Sequence, residues 1–363
     1  MKLLTPAQSG PLSFSNRIFM APLTRSRTDN PELAPTDLHV EYYGQRASAG
    51  LIISEGTNVS PRSTGYVDVP GLWSEAQIAG WKKVTDRVHE RGGCIFTQLW
   101  HVGRISHPDF HQGQLPLAPS AINPNRPIRT KLSGRTQTVT PKAMSLAEIE
   151  ETVKDFQSAG ANAMEAGFDG VEIHSSNGYL FHQFFSTSSN LRQDQYGGSI
   201  ENRVRLLFEV IEALNDVMPQ ERIGVRLNPM MHDAGGIEVN ADTLPTFDHI
   251  VKRLNKYNLA YLHLTRPFQV LDSPDFIEDV IGHYRQIYKG FLLANGNYQG
   301  GDAEAEINAG RADAIVFGRP FISNPDLPQR IQNQWPLTAA DPDTFYSAGP
   351  KGYTDYPDYD EGQ

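Results

Sequence analysis

The chain has 363 residues, enough for one large barrel or two ordinary domains, and its 39% hydrophobic content can fill a sizeable core. A formal charge of −10 argues against a general binder of nucleic acid or anionic membranes. The single cysteine, Cys94, excludes an internal disulfide framework and a cysteine metal cluster.

Leu3 to Leu12 is short and turn-rich, and Asn16 to Pro22 (NRIFMAP) reads as the first buried strand. A polar segment leads to helical periodicity over Thr36 to Ala49, then to an apolar strand from Leu51 to Ser54. An irregular loop, Glu55 to Trp73, precedes a helix over Ser74 to Glu90, which Gly92 and Gly93 stop. Cys94 to Leu99 is the third strand, with Cys94 expected to be a buried strand residue.

The excursion Trp100 to Ala143 is rich in Pro, Asn, Gly and Arg. It is too long for a plain connection and must be functional or disordered, or hold a small structure of its own. Ser145 and Glu148 form a capping box, with Ile149, Val153, Phe156 and Ala163 at helical spacing behind it. The fourth strand is Val171 to His174. Helix Glu201 to Asn215 follows, then strands at Arg222 to Leu227, Tyr261 to Leu264, Phe291 to Ala294 and Ala314 to Phe317 alternate with further helices. Strands such as GVEIH and AIVFG suit a parallel sheet covered on both sides. The pattern predicts an α/β fold: a single (β/α)8 TIM barrel over residues 1–363, with a loop excursion at 100–143 and a tail at 340–363. An open doubly wound sheet is the alternative.

In a barrel the carboxyl ends of all strands open on one face. The polar groups placed there are Thr24, Asn58, Gln98, His174 with Asn177, Arg226, Thr265 with Arg266, Asn295 and Arg319. The cluster His174, Asn177 and Tyr179 is either a reactive site or a satisfied hydrogen-bond cluster.

The sequence offers little to other chemistries. There is no HExxH, and His101, His107 and His111 lack acidic partners at metal-ligand spacing, so no metal is expected. No GxSxG elbow is present. A carboxylate pair is missing too, since Glu55 stands alone and Glu172, alternating with Ile173, is expected to face away from the centre. His182 reads as a packing or hydrogen-bonding residue. Phosphate binding is better supported. LLANGN ends the seventh strand and FGRPF the eighth, where Gly318 admits close approach and Arg319 can grip a phosphate or serve as an ordinary ion pair. A GxGxxG fingerprint is absent.

These segments together resemble the Old Yellow Enzyme family of FMN-dependent ene-reductases, in particular its N-ethylmaleimide reductase and pentaerythritol tetranitrate reductase-like branch. The resemblance covers nearly the whole chain. It rests on NRIFMAPLTR, QLWHVGR, GVEIHSSNGYLFHQFFSTSSNLRQDQYGGSIENRVR, VRLNP, VFGRPFISNPDL and FYSAGPKGYTDYP.

The resemblance implies tightly bound, non-covalent FMN at the barrel mouth and NADPH or NADH as reductant. Thr24 would bond the flavin, with Pro22 and Leu23 contacting it through backbone. Gln98 would bind its pyrimidine edge, and Arg226 would face the charge that accumulates on reduction. Arg319, with Gly318 and the backbone near Asn295, Gly296 and Asn297, would hold the phosphate. His174 and Asn177 would polarise the carbonyl of an electron-poor alkene, and Tyr179 would protonate the α-carbon. Tyr66, Trp100 and Tyr346 would wall the pocket or merely pack there.

Many bacterial relatives carry histidine where this chain has Asn177, which leaves the relative rates on ketones, nitroalkenes and nitrate esters open. Ser199 is expected to cap a helix near Glu201, and Arg203 to clamp the fourth loop by an ion pair. The tyrosine-rich tail, Thr344 to Tyr359, is expected to fold over the barrel mouth or against a neighbouring subunit. No signal peptide or membrane-spanning run is evident, so the expectation is a cytoplasmic monomer or weak homodimer with no membrane or nucleic-acid partner. A flavin barrel with an iron–sulfur cluster is disfavoured by the lone cysteine, and a flavin-free binding barrel would be colourless.

Overall fold

In the computed structural model, residues 1–360 are described. Among them, eight parallel strands follow one another in chain order and close into a barrel: Ile18–Met20, Leu51–Asn58, Ile95–Trp100, Gly170–His174, Ile223–Leu227, Tyr261–Thr265, Leu292–Asn295 and Ala314–Phe317. The last strand pairs with the first, Val316 opposite Phe19.

Closure follows from the period-two alternation of each strand. In the fourth strand, Val171 and Ile173 pack outward into the layer shared with the helices. The intervening Gly170, Glu172 and His174 turn inward. Phe19, Leu51, Ile53, Phe96, Tyr261, Leu293, Ala314 and Val316 form a separate apolar cluster inside the barrel. Two glycines make room for its aromatic rings: a Cβ at Gly170 would lie 2.4 Å from Phe96, and one at Gly224 would lie 2.3 Å from Tyr261. Below this layer the segment expected to be merely turn-rich forms an antiparallel hairpin, Ala7–Ser9 with Leu12–Phe14. Ala7 and Phe14 join the interior cluster, and the Ser9 hydroxyl donates to the Ala260 carbonyl at the start of the sixth strand. The amino end of the barrel is thereby plugged.

Several local expectations shift. The second strand runs on to Asn58 through an irregularity between Ile53 and Gly56. Cys94 lies one residue ahead of its strand and is half-buried beside Asp169, because pairing begins at Ile95. The excursion does hold structure, a hairpin of Pro127–Thr130 with Gly134–Gln137. Helix Leu146–Glu165 starts at the Ser145–Glu148 capping box as expected. Ser199 caps Ile200–Arg203, and Arg203 clamps chiefly through neutral acceptors, its expected ion pair being the long one to the exposed Asp242. Its guanidinium donates to the carbonyls of Phe185 and Gly198 and to the Thr246 hydroxyl, while Asp242 lies 4.0 Å away. Carbonyls arranged around a planar donor fork satisfy it without a second buried charge.

The tail folds back onto the loop that leaves the first strand. Arg25 donates to the carbonyls of Phe345 and Gly352, and Arg27 to those of Thr344, Phe345 and Lys351. Tyr353 is fully buried and stacks on Tyr42 at 4.0 Å, with the Arg27 guanidinium over its ring. Glu55, once a lone carboxylate candidate, is walled in with this cluster, receiving Tyr43 and the Arg25 amide, and burial pushes it up to about 7. Positions 361–363 of the expected tail lie outside the described residues.

Tyr353→Ala is expected to destabilise the fold by about 3–5 kcal/mol, the cost of emptying a buried aromatic site. Denaturant unfolding of parent and variant measures it, and a change below about 1 kcal/mol would show that the tail is not anchored there.

Candidate functional site

Inside the barrel, polarity rises toward the carboxyl end. Two residues beyond Phe96, Gly170 and Tyr261 on their own strands stand Gln98, Glu172 and His263, all buried. Two residues further come Trp100, His174 and Thr265, with Arg226 and Asn295 on the neighbouring strands. Sequence alternation had Glu172 facing away from the centre. The structure corrects this: Gln98 Nε2 donates to one of its carboxylate oxygens at 2.8 Å and His263 Nδ1 to the other at 2.8 Å. The error lay in the choice of face, since strict alternation fits either parity until a neighbour fixes it. The pairing of Glu172 with Gln98 in register is that neighbour.

Arg226 is 8% exposed. Burial lowers its pKa and the Glu172 charge works the other way. Its Nη2 reaches Asn295 Oδ1 at 3.5 Å, while its Nε is buried with no protein acceptor. Asn295 is held in turn by donating to the Val316 carbonyl at 2.7 Å. Arg226 lines a cleft of ≈ 980 Å³, shared with Pro22 and Leu23 from the first strand's end and with Asn295, Gly296 and Asn297 from the seventh. Gly318 and Arg319 from the eighth complete it.

The conformations there are those of a cradle. Gly296 has φ +122° and Asn297 +54°, so the chain turns sharply after the strand. A Cβ at Gly318 would meet no protein atom nearer than 3.6 Å. Arg319 is exposed at the lip and has no ion pair or hydrogen bond among the described residues, which removes its reading as an ordinary ion pair. Arg266, by contrast, is spent on the loop itself, bonding the Gly296 carbonyl and Asp302 and stacking on Tyr298.

His174 is the register partner of Arg226 and carries the site to its second half. Burial, and then the Arg226 charge, push its pKa well below the ordinary histidine value, so the ring is neutral. Its Nδ1 lies 3.1 Å from the Ser176 hydroxyl. If that hydroxyl donates, the proton sits on Nε2, which has no protein partner. Asn177 takes φ +57°, the left-handed region that asparagine tolerates, and this bends its amide out of the strand line. Asn228 Nδ2 donates to Asn177 Oδ1 at 3.0 Å, leaving the Asn177 NH2 as the free group. Asn228 was missed in the sequence, where only the VRLNP motif around it stood out.

Tyr179 begins helix Leu180–Phe185. Its hydroxyl lies 2.9 Å from that of Tyr66, and its ring stands edge-on to Trp100 at 4.9 Å and to His174 at 5.0 Å. Burial, and then Tyr66, raise its pKa well above the ordinary value, so it holds its proton. Tyr66 and Trp100 stack at 5.1 Å, and Tyr66 lines a second cleft with Pro61, Thr64, Asp68 and Phe110. Tyr346 is 64% exposed, and among the described residues its one ring neighbour is Phe345. Thr24 is half-buried, and neither it nor Gln98 lines the cleft. His182 accepts from the Gly178 amide and packs on Phe247, the structural part expected of it.

A buried cation above a phosphate-sized cradle, next to neutral donors and an aromatic wall, suits a planar phosphorylated redox cofactor. The fold and site therefore define a barrel flavoprotein. The comparisons carry this further: the chain belongs to the NADH:flavin oxidoreductase / NADH oxidase family, whose pattern matches residues 2–338, within the FMN-dependent Old Yellow Enzyme group. Morphinone reductase is similar at 46% identity and TM-score 0.93, covering 99% of this chain and 97% of that one. An old yellow enzyme homologue from Zymomonas mobilis is 41% identical with TM-score 0.92, covering 98% of this chain and 99% of that one. The flavin oxidoreductase hxnT of Emericella nidulans is 42% identical over 98% of this chain and 97% of its own length.

The Asn228–Asn177 contact yields a test. Asn228→Leu is expected to weaken binding of cyclohexenone to the oxidised holoenzyme about fivefold, the worth of one hydrogen bond of about 1 kcal/mol. Titration of the flavin absorbance checks it; an unchanged Kd would mean that the amide is oriented by other means.

Proposed function

We propose that the protein is an FMN-dependent NAD(P)H oxidoreductase that reduces the activated C=C bond of electron-poor alkenes such as enones, maleimides and nitroalkenes. The chemistry FMN supplies when bound is hydride transfer, accepted from NAD(P)H and passed to the alkene β-carbon. The residues present suit that cofactor. Arg226 keeps a buried Nε without an acceptor, and Arg319 stands unpaired beside the open face of Gly318. Arg319, Gly318 and the Asn295–Asn297 turn would hold the phosphate, Pro22, Leu23 and Thr24 one edge of the ring, and Gln98 the pyrimidine edge.

The observation that supports the reading is that the neutral His174 ring and the protonated Tyr179 ring stand 5.0 Å apart, with Asn177 between them in the chain and its NH2 without a hydrogen-bond partner among the described residues. His174 Nε2 and the Asn177 NH2 grip the oxygen of the activating carbonyl and stabilise the enolate-like charge as it grows. Neutral donors suit this task, because neither must lose a proton to act. Tyr179 would give its proton to the α-carbon, and its Tyr66 partner keeps the hydroxyl in place. Trp100 and Tyr66 exclude water from one side. The same donors would receive the carboxamide of the nicotinamide, so reductant and alkene take turns. Use of a nicotinamide reductant is supported by morphinone reductase, of which a complex with tetrahydroNAD is known.

Purified protein is expected to be yellow and to bleach anaerobically on addition of NADPH or NADH; a colourless protein that takes up no FMN would refute the reading. Tyr179→Phe is expected to leave reduction by NAD(P)H intact and to slow reoxidation by cyclohexenone on the order of 10²-fold, as for loss of a general acid. Stopped-flow traces of the two half-reactions separate these, and unaltered reoxidation would remove Tyr179 as proton donor. Arg319→Ala is expected to raise the Kd for FMN about 10- to 100-fold, the range for a hydrogen bond to a charged group. Retention of FMN through dialysis equal to that of the parent would contradict the phosphate role.

A further inference from the structure

The most unusual polar group in the barrel is one that the proposed reaction does not use. Glu172 is fully buried, in the layer directly below the mouth. An uncompensated carboxylate there would be strongly disfavoured. It is held by Gln98 Nε2 at 2.8 Å and His263 Nδ1 at 2.8 Å, and Arg226 lies close enough to act on it electrostatically. Burial pushes the Glu172 carboxyl up, but His263, Arg226 and Gln98 together outweigh it and keep it ionised. His263 is itself pushed down by burial and is neutral, so the contact is a hydrogen bond from a neutral ring. The Glu172 anion therefore lies one layer below the Arg226 cation, which is the register partner of His174. Of the groups that Glu172 touches by hydrogen bond or by charge, Gln98 is proposed to meet the pyrimidine edge of the flavin and Arg226 to face the charge that accumulates on its reduction.

We propose that Glu172 is a positioning residue for the cofactor, fixing the Gln98 amide and offsetting the Arg226 charge so as to set the reduction potential of the bound flavin. This rests on the FMN reading above. The orientation part follows from donor chemistry: a carboxylate only accepts, so Gln98 must turn an N–H down to it, which leaves the Gln98 carbonyl oxygen free to accept the ring N–H of the pyrimidine edge. The charge part follows from the stoichiometry. Reduction by NAD(P)H delivers two electrons and one proton as hydride and adds one negative charge at the ring. Arg226 favours that charge; Glu172 opposes it and tempers the effect of the arginine. The flavin is then reducible by nicotinamide yet still able to pass hydride to an alkene.

Glu172→Gln keeps the shape and the acceptor for Gln98 and removes the charge. Spectroelectrochemical titration of the FMN-loaded variant is expected to show a more positive midpoint potential than the parent, whereas Glu172→Asp, which retains the charge, is expected to stay nearer the parent. A folded, yellow Glu172→Gln protein with the parent potential would overturn the inference, as would an Asp variant shifted as far as the Gln one. His263→Leu provides an independent route: it removes one donor from the carboxylate, so Glu172 takes up a proton at higher pH. The potential of that variant is expected to rise above the parent's as pH falls through this protonation, and superimposable potential–pH curves would count against the assignment. A merely structural Glu172 would move the melting temperature and not the potential. A parent protein that binds no FMN would sink the functional reading itself; an unshifted potential in a yellow variant sinks this inference alone.

Discussion

A closed parallel barrel forces every second residue of each strand into an interior without water, and the rest of this molecule follows from how those positions are filled. At the amino end they are apolar, with Phe96 and Tyr261 seated over Gly170 and Gly224 and a hairpin beneath. Toward the carboxyl end they become polar, and buried polar groups must satisfy one another. Gln98, Glu172 and His263 do so around the carboxylate, whose two oxygens each accept one donor, although His263 Nε2 is left buried without a partner. The next layer does so only in part. Arg226 Nε is buried without an acceptor beside the cleft, and among the described residues neither His174 Nε2 nor the Asn177 NH2 has a hydrogen-bond partner, so polar groups held by a rigid scaffold are left for a ligand.

The elements around the mouth serve to hold those donors still. The loop after the first strand is tied to the tail by Arg25 and Arg27, so residues more than 300 positions apart form one rim. The loop after the fourth strand is pinned by Arg203 through carbonyls, and Asn177 by Asn228. The loop after the seventh is held by Arg266. In each case arginine or an amide spans a distance that no local hydrogen bond could, which is how a site assembled from several strand ends stays ordered.

The separation of charge within the site is as informative as the charges. The cations facing the mouth are Arg226, buried, and Arg319, at the lip, while the groups that would grip substrate are neutral. Burial and the Arg226 field keep His174 uncharged, and burial keeps the Tyr179 proton in place. An anionic cofactor can therefore be held at one end while a neutral, polarisable acceptor is activated at the other.

Much of this was legible in the residues. Eight apolar strands alternating with helices specified the barrel, because helical and strand periods differ and each segment carries its own caps and glycines. The strand-end groups, His174 with Asn177 and Tyr179, and Gly318 with Arg319, stand out as candidates from their place after a strand. What the sequence by itself could not decide was parity and partnership. Glu172 reads equally well inward or outward, and only its register against Gln98 and its contact with His263 fix it inside. Asn228, the tail's grip on Arg25 and Arg27, and the carbonyl clamp on Arg203 are likewise contacts between distant segments. Local periodicity encodes which residues form a strand; the closing of the barrel alone decides which of their side chains meet.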